Sequence, residues 1–302
     1  KNFINSFLGV YKMSLQKLYI KNKAYLSYTN NLIKIKTEDS ENTVCLDDID
    51  TILVENYHTT ISTALLAQLS KLDISVIFCD EKFMPSSILL GINKNSRTTK
   101  IQKAQVLLSK PKLNQIWQKI VYQKVENQSK ILKVFSTKES YLDSLLPRVK
   151  SNDKEHIEAV AAAYYFKELF DKDFSRNSLL DGRNSALNFG YTVFRSSICR
   201  YIVAHGLNPS FGIHHSSELN AFNLADDLIE PFRPVIDLFV KRNIKKDTEL
   251  SSAIKVELLK LLDEIVIYDN QRVQVSYCMK QIVSNYQSIC LDKVEDLKLF
   301  RL

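Results

Sequence analysis

The period of the hydrophobic pattern changes once along the chain. Between residues 15 and 55 the apolar positions fall in short β-branched or aromatic runs, LQKLYI, AYLSY, NLIKIKT, TVCL and DTILVE, with partial alternation. Turn-forming groups, KNK, TNN and EDSEN, separate them, so short strands are predicted there. ISTALLAQLSKL then reads as a short amphipathic helix and DISVIFCD as a compact apolar strand. From about residue 98 the spacing becomes i, i+3, i+4, i+7 in IQKAQVLLSK, LNQIWQKIVYQKVENQSKILKVF, EHIEAVAAAYYFKELF, NSALNFGYTVFRSSICRYIVAHG and SAIKVELLKLLDEIVIY. This second part is expected to be almost entirely helical. The reading is therefore α+β: a β-rich domain over residues 1–90, a polar linker over 91–97 within GINKNSRTT, and an α-helical domain over 98–302.

Composition adds bounds. At 302 residues and 45% hydrophobic content the chain suits two modest soluble domains, each with its own core. No apolar run approaches the roughly 18 residues of a membrane span, and KNFINSFLGVYK lacks the apolar centre and cleavage site of a secretory signal, so a cytoplasmic location is expected. Five scattered cysteines with no CxxC pair suggest neither a disulfide framework nor a zinc site; they read as reduced thiols used in packing.

The net charge is +7, and its location matters more than its size. From Gly91 to Lys133 there are ten basic residues, among them Lys94, Arg97, Lys100 and Lys103, against the single acid Glu126. A block so one-sided, interleaved with glutamines, Asn114 and Trp117, suits a polyanion, because each phosphate neutralised releases counterions. The alternative is a solvated lysine-rich helix surface.

The densest candidate chemistry lies in GIHHSSELNAFNLADDLIEPFRP, residues 212–234. Asn223 is a candidate N-cap, with Asp226 placed to complement a helix N-terminus. A short helix from there puts Asp227 and Glu230 on one face and turns Leu224, Leu228 and Phe232 inward. Pro231 supplies no N–H to the carbonyl of Asp227 and disfavours α geometry at Glu230, so the helix must kink or restart there. Paired carboxylates plus an imidazole suit Mg²⁺ or Mn²⁺, and Glu158, opening the alanine-rich EHIEAVAAAYYF, is the best third carboxylate. Taken singly, each has an ordinary structural explanation: a first-turn surface glutamate, a capping or core histidine, a solvated acidic helix face. Their coincidence within one segment is what those explanations cover poorly. No GxSxG, GxGxxG, GxxxxGK[ST] or HExxH is present.

At these residues the sequence resembles a known family. EHIEAVAAAYYFKELFDKDFSR is similar to an E-x-x-A-A-x-x-Y-F segment, and GLNPSFGIHHSSELNAFNLADDLIEPFRPVID to the G-x-x-H … N-x-F-N-L-A-x-D-L-x-E-P-F-R-P segment, of CRISPR-associated protein one, the spacer-acquisition integrase. LNFGYTVFRSSICRYIVAHGLNP and SVIFCD also look like that family, and the chain is most similar to the branch accompanying type II systems. The resemblance implies a β-sandwich-like N-terminal domain and a larger helical C-terminal one. It implies a metal-dependent activity in which a 3′-hydroxyl on a captured DNA fragment attacks a phosphodiester at a CRISPR repeat, with endonuclease activity at the same site. By motif position Glu158, His215 and Glu230 carry over as catalytic ligands of Mg²⁺ or Mn²⁺, with Asp227 as a further ligand or orienting group. His215 is chosen over His214 by its three-residue offset from Gly212, leaving His214 to packing or DNA. Arg233, Lys94, Arg97, Lys100 and Lys103 are the candidate phosphate contacts. Implied partners are DNA, a second copy of the chain docking through the β-rich domain, a small ferredoxin-like CRISPR-associated dimer and the type II effector nuclease; no membrane is implied. The competing reading is a non-catalytic DNA-binding or assembly subunit in which the acidic cluster is only a helix face.

Overall fold

A computed structural model describes residues 16–92, 94–135, 141–178 and 180–302. Residues 1–15 of the expected first domain and Asn93 of the expected linker lie outside the described residues.

The amino-terminal part holds β1 (Gln16–Ile20), β2 (Tyr25–Thr29), β3 (Leu32–Lys36), β4 (Glu41–Cys45), β5 (Ile49–Val54), β6 (Thr60–Ile61), α1 (Thr63–Lys71), β7 (Ser75–Cys79) and β8 (Pro85–Leu89). One sheet runs β1-β5-β7-β8, with β1, β5 and β7 parallel and β8 antiparallel; the other runs β4-β3-β2-β6. The TNN group makes the tight turn between β2 and β3, with Asn30 and Asn31 at φ 46° and 63°, as a two-residue hairpin of this hand requires. Between the two sheets, Leu26, Ile33, Ile52, Val54 and Val76 pack with Leu65 and Leu69 of α1. The sandwich-like expectation therefore holds, with β6 and β8 as the strands that periodicity did not reveal.

The amino-terminal part has its own core between its two sheets, and it also contributes to the helical core. Alternation along β5 and β7 sends Ile52, Val54 and Val76 inward between the sheets and Leu53, Ile77 and Cys79 to the opposite face, where they join the helical core. Buried ion pairs cross the same boundary. Lys255 meets Glu55 at 2.5 Å, a carboxylate that also accepts from the Tyr19 hydroxyl, and Arg200 meets Asp50 at 3.0 Å while donating to the Asp50 and Asp73 carbonyls. The described linker is part of this seam: the Lys94 ammonium is taken up by the Ser70 and Lys71 carbonyls at 2.6 and 2.8 Å and by Asp73 at 2.9 Å. Its expected role at a phosphate gives way to joining the linker to the end of α1.

The helical part comprises α2 (Thr98–Val106), α3 (Lys110–Phe135), α4 (Tyr141–Leu145), α5 (Ile157–Leu169), α6 (Gly182–Ala204), α7 (Asn223–Ile229), α8 (Arg233–Asn243), α9 (Ser252–Lys260) and α10 (Val275–Cys290). α6 is buried on nearly every side, through Phe189, Val193, Phe194, Ile198 and Ile202. It is the axis against which α7, α8, α9 and α10 pack. The expectation of an all-helical segment fails at its end: IVIY leaves the helix and pairs as β9 (Ile265–Tyr268) with β10 (Gln271–Gln274) around Asp269 and Asn270, both at positive φ. Ile265 and Ile267 face out and Val266 faces in, a period of two that the preceding helical spacing masks. Four of the five cysteines are buried, and burial pushes the Cys79, Cys199 and Cys290 thiols up to about 12, so they serve packing. Among the described residues no helix is long and apolar enough to cross a membrane.

Candidate active site

The site is assembled from α3, the start of α5, the 212–217 turn and the break between α7 and α8. Glu158 is the second residue of α5. That helix begins there because Asp153 accepts from the Ile157 and Glu158 amides at 2.9 Å each, satisfying donors that a helix start leaves open. Glu230 opens a 3₁₀ turn, Glu230–Phe232, between α7 and α8. The α-helix thus gives way to a tighter turn at Pro231, but Glu230 itself keeps α geometry (φ −50°, ψ −45°) and the Asp227 carbonyl is not left without a donor: it accepts the Glu230 amide in that turn. Asn127 of α3 donates to the Pro231 carbonyl at 3.1 Å, and Phe300 stacks on Phe232 with centroids 4.3 Å apart, so both flanks of the kink are pinned.

Glu158 and Glu230 meet on one cation, and it is a lysine. The ammonium of Lys124, a residue only 5% exposed in the middle of α3, donates to Glu158 Oε1 and lies 2.5 Å from Glu230 Oε2. Burial alone pushes that ammonium's pKa down, but the charges of Glu230 and Glu158 outweigh it and the pKa is raised. Glu230 is buried too; burial pushes its carboxyl up, while Arg233 and Lys124 together hold it below its ordinary value. Arg233 reaches Glu230 Oε1 at 2.9 Å and lies over the Tyr191 ring, whose hydroxyl donates to buried Asp237. The guanidinium expected at a phosphate is thus committed to Glu230.

His215 is held by Asp227. Its Nδ1 lies 2.6 Å from Asp227 Oδ1, and this hydrogen bond raises the imidazole pKa against the opposing effect of burial. Asp227, fully buried, also accepts the backbone amides of Ile213, His214 and His215 at 2.6, 2.9 and 3.2 Å. Both of its oxygens are consumed by this turn, which corrects its place among the metal ligands: Asp227 shapes the loop and orients His215. Asp226, beside it in the first turn of α7, takes the Asn220 side chain at 2.7 Å and faces Arg195 at 3.8 Å. Asn223 is the first helical residue and no N-cap; its amide staples the Ser210, Ser217 and Asn220 carbonyls. Gly212 is required by crowding: a Cβ there would lie 2.2 Å from the His215 carbonyl and 2.9 Å from Asp227 Oδ2. His214 stacks on Trp117 with centroids 4.3 Å apart and planes 3° from parallel, and burial lowers its pKa.

Two clefts flank the histidines. One, of about 320 Å³, is lined by Trp117, Asp153, His156, Glu158 and His214; the other, of about 590 Å³, by Gln105, Leu113, Phe211, Gly212, His215 and Asn223. Arg97, Lys100 and Lys103 are exposed on and just before α2, the helix that supplies Gln105 to the second cleft. Much of the remaining basic block is spoken for: Lys112 donates to the Glu295 carbonyl, Lys119 pairs with Asp296 and Lys133 with Asp143.

Among the described residues no three His, Cys, Asp or Glu side chains converge closely enough to hold a metal as the structure stands. The two glutamates nevertheless fit one. They already share a stand-in cation, and Glu230 Oε2 is a buried oxygen with an ion pair but no well-directed hydrogen bond. Oxygen-rich ligation of this kind suits Mg²⁺ or Mn²⁺. Sequence reasoning missed Lys124, which entered only as one charge in the basic block; its place four residues from Ile120 and seven from both Trp117 and Ile131 marked it as core-facing.

Fold and site define a class: a strand-rich amino-terminal domain fused to a helical domain whose core brings two distant glutamates together beside an aspartate-held histidine. The model of one family, described as CRISPR associated protein Cas1, matches residues 18–253. The chain belongs to that family. It is 36% identical over 293 residues to a CRISPR-associated endonuclease Cas1 of Neisseria meningitidis serogroup C, covering 95% of this chain and 96% of that one. Similar solved structures include a casposase bound to integration product (TM-score 0.76, 18% identity, 94% of this chain and 92% of that chain). Another is a Cas6-RT-Cas1–Cas2 complex (TM-score 0.73, 16% identity, 96% of this chain and 36% of that chain). At such identities these two speak for the fold.

Proposed function

We propose that this protein is a metal-dependent DNA integrase and endonuclease that joins captured DNA into a CRISPR repeat array, a 3′-hydroxyl displacing a phosphodiester oxygen by transesterification. The observation that carries the reading is the convergence of Glu158 and Glu230 on one cation position beside His215. Relatives named as endonucleases and a structural neighbour described with integration product point the same way. Glu158, Glu230 and His215 would hold Mg²⁺ or Mn²⁺, which supplies charge stabilisation at the attacking and leaving oxygens. Asp227 fixes the His215 tautomer: with Nδ1–H directed at the carboxylate, the neutral ring keeps its lone pair on Nε2. Arg233 keeps Glu230 ionised, and the Trp117–His214 stack walls the Glu158 side. The proposed partners are DNA, a second copy of the chain through the β-rich domain, a small ferredoxin-like CRISPR-associated dimer and the type II effector nuclease; the likeness to a chain from a Cas1–Cas2 complex supports a partner of that kind.

The test mixes the purified protein with its small partner, labelled DNA and a repeat-bearing plasmid, with Mn²⁺, Mg²⁺ or chelator. Covalent joining and cleavage are expected with metal, and neither with chelator or in Glu158→Ala or His215→Ala. DNA binding without joining in any metal would establish the non-catalytic subunit instead. Arg97, Lys100 and Lys103 are proposed to track the DNA backbone toward His215. Replacing Lys100 and Lys103 together by Glu is expected to weaken DNA binding irrespective of sequence and to reduce the slope of log K against log salt by about 2, measured by anisotropy at several salt concentrations.

A further inference from the structure

Lys124 is an unusual cation to find at this point. It sits among buried neighbours on α3, with Ile120, Val121, Val125 and Gln128 also buried, and its charge is balanced by two carboxylates carried on other elements. Without it, buried Glu230 and the partly exposed Glu158 would face each other with only Arg233, on the far oxygen of Glu230, to offset them. With it, the pair is neutralised in the protein's own structure.

An ammonium nitrogen ordinarily stands about 2.7–2.9 Å from carboxylate oxygens, whereas Mg²⁺ requires its oxygens at about 2.0–2.1 Å in near-octahedral array. Both cannot occupy one gap. A divalent ion between the glutamates would also lie next to Lys124 and Arg233, so that two carboxylates would be outnumbered by positive charge. The ammonium is the movable member, since it ends a flexible four-carbon stem while each glutamate is tied to a pinned helix start or kink.

We propose that Lys124 is the internal place-holder of the metal site: its ammonium occupies the position between Glu158 and Glu230 that a divalent cation takes, keeps the carboxylates assembled without metal, and must swing out when metal binds. The lysine thereby sets how much metal the site needs before it loads. This inference rests on the metal-dependent reading above and adds to it a positioning residue that competes with the cofactor.

The experiment is Mn²⁺ titration by calorimetry and thermal melting in chelator and in Mn²⁺, for the wild-type protein, Lys124→Met, Lys124→Arg and Glu158→Gln. Lys124→Met is expected to melt at lower temperature in chelator, to bind Mn²⁺ about tenfold or more tightly, and to gain more from Mn²⁺ in melting temperature, because no ammonium has to be displaced. Lys124→Arg retains a cation and is expected to stay near wild type. A second measurement needs no variant: acylation of Lys124 in the wild-type protein, followed by mass spectrometry, is expected to be slow in chelator and faster in saturating Mn²⁺. Wild-type binding that depends on Glu158, with Lys124→Met binding no tighter and acylation unchanged by Mn²⁺, overturns the place-holder while leaving the metal reading standing. Failure of both wild type and Lys124→Met to bind Mn²⁺ overturns both. If Lys124→Met does not fold, the acylation result alone decides.

Discussion

Asp227→Ala is expected to lower stability by about 3–5 kcal/mol and to abolish strand joining together. The carboxylate is fully buried and accepts three successive backbone amides as well as the His215 ring. Each buried donor left without a partner costs about 1–3 kcal/mol, moderated where the loosened turn readmits water. Asp227→Asn preserves volume but replaces one acceptor oxygen by an NH₂ that cannot accept from the Ile213–His215 amides, so it is expected to recover little. Urea unfolding reads the stability loss, and the joining assay reads the function. A pH series separates the histidine from the loop. Because Asp227 raises the His215 pKa, the folded protein binds that proton more tightly than the unfolded chain. The pair's contribution is thus present below the ordinary value of 6.5 and is lost as pH rises through the raised one. The wild type is expected to lose stability across that window, and Asp227→Asn to show a flatter profile. Equal pH slopes in the two would refute the role assigned to the His215–Asp227 bond.

The second large effect is at Glu230. Glu230→Gln keeps the size of the side chain and removes its charge, leaving buried Lys124 with Glu158 as its remaining carboxylate and the partly exposed Arg233 without its own. Breaking a buried pair by neutralising one partner typically costs about 3–5 kcal/mol, because the remaining charge is uncompensated. On the proposed metal-dependent reading, joining is expected to fall by about a thousandfold or more, because the charge of a proposed ligand is lost. The two losses can be told apart by a double-mutant cycle. Lys124→Met in the Glu230→Gln background is expected to restore part of the stability and none of the activity, giving a non-additive stability term of about 1–3 kcal/mol. Full additivity in urea unfolding would show that the ion pair at 2.5 Å contributes nothing in solution.

Much of this site is legible in the amino-acid sequence. The E-x-x-A-A and D-L-x-E segments nominate Glu158 and Glu230, the spacing from Gly212 separates His215 from His214, and Pro231 announces the break that presents Glu230. The distribution of labour among the acids is not legible there. Asp227 and Glu230 share a helix face by spacing, yet one turns back into the 212–217 loop and the other toward α3, because the α7 helix ends between them in a 3₁₀ turn. Arg233 and Lys94 read as candidate phosphate contacts and are ion-pair partners of Glu230 and Asp73. The β9–β10 hairpin hides behind a helical run whose apolar spacing continues into its first strand.

What the sequence by itself determined about this protein is local and periodic: strands before residue 90, helices after 98, a kink at a proline, and a set of carboxylates and imidazoles at spacings that chemistry can use. Which of those groups face one another was decided by the tertiary structure. Lys124 is the clearest instance, since a charge in a basic run carries no mark of its partners. Only the packing of α3 against α5 and the Glu230–Phe232 turn buries that ammonium between two acids, where loss of solvent makes their mutual attraction decisive. The same holds for the seam between the domains: the parallel strands β5 and β7 alternate as any strand does, and it is the helical core on their second face that takes up Leu53, Ile77 and Cys79 while Ile52, Val54 and Val76 stay in the core between the sheets.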